Sequence, residues 1–251
     1  MREIHVDTIV NTVEQLCINA NYRLNDDICT ALKNGLKNEN SELGRSILQK
    51  LIENAEMAEQ RQMAICQDTG MAIFFIEIGQ EVHILGGSLT NAINEGVRRG
   101  YLSGYLRNSV VSDPFNRINT GDNTPAVIHY DIVEGDRLKL AFTPKGFGSE
   151  NMSSLKMLSP SDGLEGIKKF IIETVEKAGP NPCPPMVIGV GIGGTMEKAA
   201  ILAKRALLRP VNIRSSFNDI SGLEVDLLES INKTGIGPAG LGGRTTALAV
   251  N

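Results

Sequence analysis

Cys66-Gln67-Asp68-Thr69-Gly70-Met71-Ala72-Ile73-Phe74-Phe75-Ile76-Glu77-Ile78 marks the point where one kind of sequence gives way to another. Its second half, Met71 to Ile78, is rich in β-branched and aromatic residues and is a strand candidate. Upstream, the first 60 residues read as helices. Val6, Ile9, Val10, Val13, Leu16, Cys17 and Ala20 recur at helical spacing and form one apolar stripe. Asn25-Asp26-Asp27 supplies a helix start before Ile28, Leu32 and Leu36, and Ser41 caps a third helix carrying Leu43, Ile47, Leu51, Ile52 and Ala55. Cys17 and Cys29 fall on these inner faces, where small buried thiols behave as hydrophobes rather than ligands.

Downstream, helical and strand patterns alternate. Gly86-Gly87 bends the chain into a helix capped by Ser88 or Thr90 that runs through Ala92, Ile93 and Val97. Ala126 to Val133, Glu134-Gly135-Asp136 and Arg137 to Thr143 give the clearest β-hairpin signal in the chain. Ser161 and Asp162 open a helix through Ile167, Phe170, Ile171 and Val175. A strand from Met186 to Val190 runs into a glycine-rich turn, then a helix from Thr195 to Leu208. A last helix spans Leu223 to Ile231, followed by Gly-rich Gly235 to Gly243 and a strand-like tail. The fold class is therefore α+β (mixed), an N-terminal helical segment followed by a mixed α/β region. We expect one domain over 1–251, helical over 1–60 and mixed over 61–251.

Composition narrows the function. The chain of 251 residues is 41% hydrophobic and 22% charged, with a formal net charge of -4. That balance, the absence of Trp and the scattered basic residues argue against a nucleic-acid partner. No apolar run approaches the roughly 20 residues that span a bilayer, and Met1-Arg2-Glu3-Ile4-His5 has no signal core. The expectation is a cytoplasmic protein whose four cysteines are thiols or ligands rather than disulfides.

Two of those cysteines sit beside turn-forming residues that can present a side chain to a site. They are Cys66, and Cys183 within Asn181-Pro182-Cys183-Pro184-Pro185. Two thiolates imply a metal centre but do not complete an iron–sulfur or zinc site. Asp68, beside Cys66, reads either as a proton shuttle or as a turn-stabilising carboxylate, and spacing alone favours the turn. Arg107, before Asn108-Ser109-Val110-Val111, suits bidentate carboxylate recognition or a surface ion pair. Lys145 to Asn151 is a polar glycine loop without P-loop spacing, either a plain loop or a wall of backbone N–H groups facing substrate. Gly189-Val190-Gly191-Ile192-Gly193-Gly194 satisfies G-x-G-x-x-G between a strand and a helix, which would suit a nicotinamide-dependent oxidoreductase. Against that reading, Arg214 stands where the second strand should carry an acidic residue, and a close backbone crossing explains the glycines equally well. His5, His83 and His129 form no ligand pair.

Taken in order, these segments resemble the α subunit, or N-terminal catalytic domain, of class I fumarate hydratases and the related L-tartrate dehydratases. The match runs through Cys66 to Gly70, Leu106 to Val111, Asp113-Pro114, Asn119 to Pro125, Lys145 to Ser153, Pro182 to Pro185, Gly189 to Thr195, Lys198-Ala199-Ala200 and Gly235 to Leu248. The resemblance implies a hydro-lyase carrying a [4Fe–4S] cluster on three cysteines, with one iron open to substrate. Cys66 and Cys183 match two of those ligands. The third family cysteine follows the stretch matching Thr245 to Val250, and is expected beyond Asn251 in a chain truncated before it. By the same resemblance Asp68 handles a proton, Gln67 is a polar substrate contact, Arg107 clamps a carboxylate and Gly148 offers a backbone N–H. The remaining catalytic groups would come from a β subunit in an α₂β₂ assembly acting on fumarate, or alternatively on L-tartrate. A non-catalytic assembly subunit is the reading of another class. The resemblance further implies that both sulfurs point into one cleft with Asp68, Arg107 and Gly148.

Overall fold

The computed structural model describes all residues from Met1 to Asn251. In chain order it begins with β1 (Arg2–His5), α1 (Val6–Tyr22), α2 (Asp26–Asn38), α3 (Glu42–Arg61), β2 (Met71–Gly79), β3 (Val82–Leu85) and α4 (Leu89–Ser103). It continues through β4 (Val127–Val133), β5 (Leu138–Lys145), α5 (Phe147–Glu150), α6 (Gly163–Ala178), β6 (Met186–Ile188), α7 (Met196–Ala206), α8 (Asn218–Asn232) and β7 (Ala247–Val250). The class is the mixed α and β expected, with helices leading. Two compact units emerge, Met1–Leu24 with Ala55–Phe147, and Asn25–Asn54 with Gly148–Asn251.

In the first unit α1 buries Ile9, Val10, Val13 and Cys17, as its stripe requires, and these pack on α4 and β2. The helices approach closely because α4 presents glycines. A β-carbon on Gly96 would lie 2.5 Å from that of Val13, and one on Gly100 would lie 2.8 Å from that of Cys17. Phe74, Ile93, Val97 and Tyr101 complete the core. Each fully buried apolar side chain of this size stabilises the fold by roughly 1.5–3 kcal/mol.

The expected hairpin forms its two strands but not its pairing. The sheet order is β4-β2-β5, with β2 parallel to β4 and antiparallel to β5. The reason lies in β2, whose Ile73, Phe74, Phe75 and Ile76 are all at most 5% exposed. A strand apolar on both faces gains most from the central place. The turn after β4 therefore crosses the end of β2, where Gly79 N–H donates to the Arg137 carbonyl at 2.8 Å. The short strand β1, paired in parallel with β3, was not expected, since Arg2-Glu3-Ile4-His5 carries only one apolar residue.

In the second unit α6 and α8 cover the parallel pair β6–β7, with Ile171, Val175, Met186, Leu227, Ile231, Ala247 and Val250 as core. Helix α8 begins at Asn218, ahead of the expected Leu223, because its first turn is largely exposed and leaves no apolar periodicity. Glu39, only 3% exposed, accepts N–H bonds from Arg244 and Thr245 at 2.8 Å and from Asn40 at 3.0 Å. It thereby ties the start of α3 to the segment leading into β7. No helix is long and apolar enough to cross a membrane.

Candidate active site

The Cys66–Gly70 turn is built from its own polar groups. The Cys66 thiol is exposed, and its sulfur accepts the Asp68 N–H at 3.4 Å. It also donates weakly to Gln67 Oε1 at 3.6 Å. The half-buried Asp68 carboxylate accepts Gly70 N–H at 3.2 Å through Oδ1 and Phe147 N–H at 2.9 Å through Oδ2. Asp68 thus does the turn-stabilising work that its spacing suggested, and it caps the first N–H of α5. The glycine loop after β5 is, in consequence, a single helical turn rather than an irregular loop. Gly70 is obligatory, with φ of 63° and a β-carbon position only 2.3 Å from the Lys145 carbonyl oxygen.

Arg107 is held to this turn through its backbone. Thr69 Oγ1 accepts Arg107 N–H at 2.9 Å and donates to the Arg107 carbonyl at 3.2 Å. The Arg107 side chain is exposed and makes neither an ion pair nor a hydrogen bond within the chain. Below it lies Asn123, fully buried at φ 57°. Its Oδ1 accepts Ser109 N–H at 2.7 Å and Val110 N–H at 3.2 Å, while Nδ2 donates to the Gly70 carbonyl at 3.0 Å. Tyr101 Oη donates to the Thr69 carbonyl at 2.8 Å and the Gly70 carbonyl at 3.2 Å, and burial pushes its phenol upward. Next in sequence, Asp122 accepts both Thr124 donors and Arg98 Nε at 2.9 Å. Burial alone would raise the Asp122 carboxyl, but the Thr124 bonds and the Arg98 guanidinium hold it below its ordinary value.

Thr69, Tyr101 and Asn123 were missed as site-building residues by sequence reasoning. Besides its place in the matching stretch Asn119 to Pro125, the signal for Asn123 is its type, since Asn is among the few residues that tolerate a left-handed backbone. Nothing local marks the Thr69 hydroxyl, whose partner lies 38 positions away.

In the second unit Cys183 is exposed at φ 54°, its N–H donating to the Pro180 carbonyl at 3.0 Å. Asn181, two residues earlier, meets the exposed Gly148, where a β-carbon would come 3.3 Å from the Asn181 carbonyl oxygen. Neither Cys66 nor Cys183 is in a disulfide. Cys17, by contrast, is pushed up to about 12 by burial and then by the Glu14 charge, and stays a thiol inside the core. Each of the two exposed thiols, Cys66 with the Asp68 N–H directed at its sulfur and Cys183 on its own loop, has the soft-donor chemistry of an iron–sulfur ligand.

The Gly189 segment does not form a dinucleotide site. A β-carbon on Gly189 would lie 2.1 Å from the Ala203 carbonyl oxygen, and one on Gly191 would lie 2.0 Å from that of Ala199. These glycines let β6 and its loop lie directly against the α7 backbone. No strand forms near Val211, so the second strand that would hold the ribose in a nicotinamide site is missing there.

Against known proteins, the family model described as "Fumarate hydratase (Fumerase)" matches residues 10–251. The chain belongs to the fumarate hydratase family. Among its relatives is a Methanocaldococcus jannaschii protein provisionally named L(+)-tartrate dehydratase subunit alpha, 44% identical over 250 residues, covering 96% of this chain and 87% of the relative. The L(+)-tartrate dehydratase subunit alpha of Escherichia coli O157:H7 is 32% identical over 259 residues, covering 100% of this chain and 85% of the relative. That of Escherichia coli K12 shows the same identity and coverage, 32%, 100% and 85%. The Cys66 turn, the Arg107 segment and the Cys183 loop all fall inside the stretch that the family model matches.

Proposed function

We propose that this chain is the α subunit of a hydro-lyase that reversibly hydrates fumarate to L-malate, with L-tartrate dehydration as the second reading. The observation that carries it is one platform in a fumarate hydratase family member. An exposed thiol, a half-buried carboxylate and an exposed, unpaired guanidinium stand on backbone segments stitched together by Thr69 and Asn123. The family description supports fumarate, and the names of relatives at 44% and 32% identity support L-tartrate.

Cys66 and Cys183 would hold a [4Fe–4S] cluster as two of its ligands. When bound, such a cluster with an open iron supplies a Lewis acid for the substrate hydroxyl. Arg107 clamps a substrate carboxylate, for which a planar, unpaired guanidinium is well matched. Asp68, held at the turn by the Gly70 and Phe147 N–H groups, takes or returns a proton, while Gln67 and the Gly148 N–H orient polar substrate atoms. A β subunit, in an α₂β₂ assembly in the reducing cytoplasm, brings the groups this chain lacks. The word "alpha" in the relatives' names supports such a partner.

The test is anaerobic iron–sulfur reconstitution of wild type, Cys66→Ser and Cys183→Ser together with the β partner. Each serine variant should bind less iron and lose turnover of both acids. Full iron loading in either variant would remove that cysteine from the ligand set.

A further inference from the structure

The exposed Arg107 side chain makes no hydrogen bond or ion pair of its own, so the placement of its backbone decides where the guanidinium can reach. That backbone is held from one atom. Thr69 Oγ1 accepts the Arg107 N–H at 2.9 Å and donates to the Arg107 carbonyl at 3.2 Å, and it makes no other hydrogen bond. A hydroxyl carries one donor and two acceptor lone pairs, and here both roles serve the same residue. Thr69 is 3% exposed, so bulk water does not reach it to take over either bond. Its own carbonyl accepts the buried Tyr101 hydroxyl at 2.8 Å, which fixes the threonine in turn. On either side of Arg107, Leu106 at 7% exposure and Val110 at 3% are anchored in the core.

We infer that Thr69 is a positioning residue for Arg107: its hydroxyl sets the backbone from which the guanidinium reaches the substrate carboxylate. The inference rests on the reading of Arg107 as the carboxylate clamp. Thr69→Val keeps the side-chain shape and removes both bonds, Thr69→Ser keeps the hydroxyl, and Thr69→Ala removes it without bulk should the valine variant fail to fold.

Two readouts separate positioning from plain stabilisation in the reconstituted αβ enzyme. Amide hydrogen exchange should rise about tenfold or more at Arg107 in Thr69→Val, and not in helix α4, for one lost orienting bond. KM for the dicarboxylate should rise about tenfold with a smaller change in kcat, and Thr69→Ser should restore both to within about twofold of wild type. Unchanged exchange at Arg107, or exchange raised equally throughout the first unit, overturns the inference. So does an unchanged KM in Thr69→Val when Arg107→Ala raises it. If Arg107→Ala itself leaves KM unchanged, the clamp reading fails, and that outcome is distinct from a failure of Thr69.

Discussion

Asn123→Ala should destabilise the first unit by about 4.5 kcal/mol, and the structure says where each part comes from. The Val110 N–H, beneath a residue 3% exposed, loses its acceptor at 3.2 Å, which costs about 2 kcal/mol for an orphaned buried donor. The half-buried Ser109 N–H, bonded at 2.7 Å, can find water and loses about 1 kcal/mol. The Gly70 carbonyl keeps the Tyr101 hydroxyl at 3.2 Å, so losing Asn123 Nδ2 costs it only about 0.5 kcal/mol. Alanine at φ 57° adds about 1 kcal/mol of backbone strain. All four tyrosines, Tyr22, Tyr101, Tyr105 and Tyr130, lie in the first unit and there is no Trp, so intrinsic fluorescence in urea reports this unit selectively. With a urea slope of about 2 kcal/mol/M the midpoint should fall by about 2 M. Asn123→Gly, free of the strain, should recover about 1 kcal/mol. A loss below about 1 kcal/mol in Asn123→Ala, at constant slope, would refute the view of Asn123 as the buried tie between the two site segments.

Glu39 gives a pH prediction. Burial by itself would raise its carboxyl, but N–H bonds from Arg244, Thr245 and Ser41 outweigh it and hold the folded value below the ordinary one. Its stabilisation is therefore complete above the unfolded carboxylate value, near 4.3 on the reference scale, and is lost as pH falls through the folded value. Glu39→Gln should flatten acid unfolding of the second unit in that window, and an unchanged acid profile would contradict the role. Gly191→Ala should destabilise the second unit by about 3 kcal/mol or more, because the new methyl meets α7 backbone at 2.0 Å. Amide exchange in α7 would measure it, and native-like protection would show that the crossing is not tight. Arg107→Lys should raise KM for the dicarboxylate about tenfold or more, since an ammonium cannot replace a bidentate guanidinium, while the urea midpoint stays unchanged. Unaltered steady-state kinetics would contradict the clamp.

Much of the fold was legible because helical and strand periodicities are local. The α1 stripe, the Ser88 cap, the β2 run and the strand-helix order from Met186 onward were all visible in the sequence. Pairing was not, because insertion of β2 between β4 and β5 depends on how much of β2 must be covered, a property of the assembled sheet. The glycines of Gly189 to Gly194 show the same limit. Their spacing fits a phosphate-binding turn, and only the α7 backbone, 2.0 to 2.1 Å from where a β-carbon would stand, reveals that two of them serve packing. For the site, chemistry-bearing residues such as Asp68 and Arg107 could be named from type and context. The buried groups that hold them could not, since Thr69 and Asn123 act on partners 38 and 53 positions away.

The central claim is that this chain supplies the Cys66, Asp68 and Arg107 side of a hydro-lyase site. Its most direct test is anaerobic turnover of fumarate, L-malate and L-tartrate by the iron–sulfur-reconstituted α and β chains together, measured beside the same mixture made with Arg107→Ala. Turnover of at least one of the fumarate–malate pair or L-tartrate, falling by about a hundredfold or more in Arg107→Ala, is the expected result. A fully loaded wild-type complex that turns over none of these acids, or an Arg107→Ala complex as active as wild type, would contradict it.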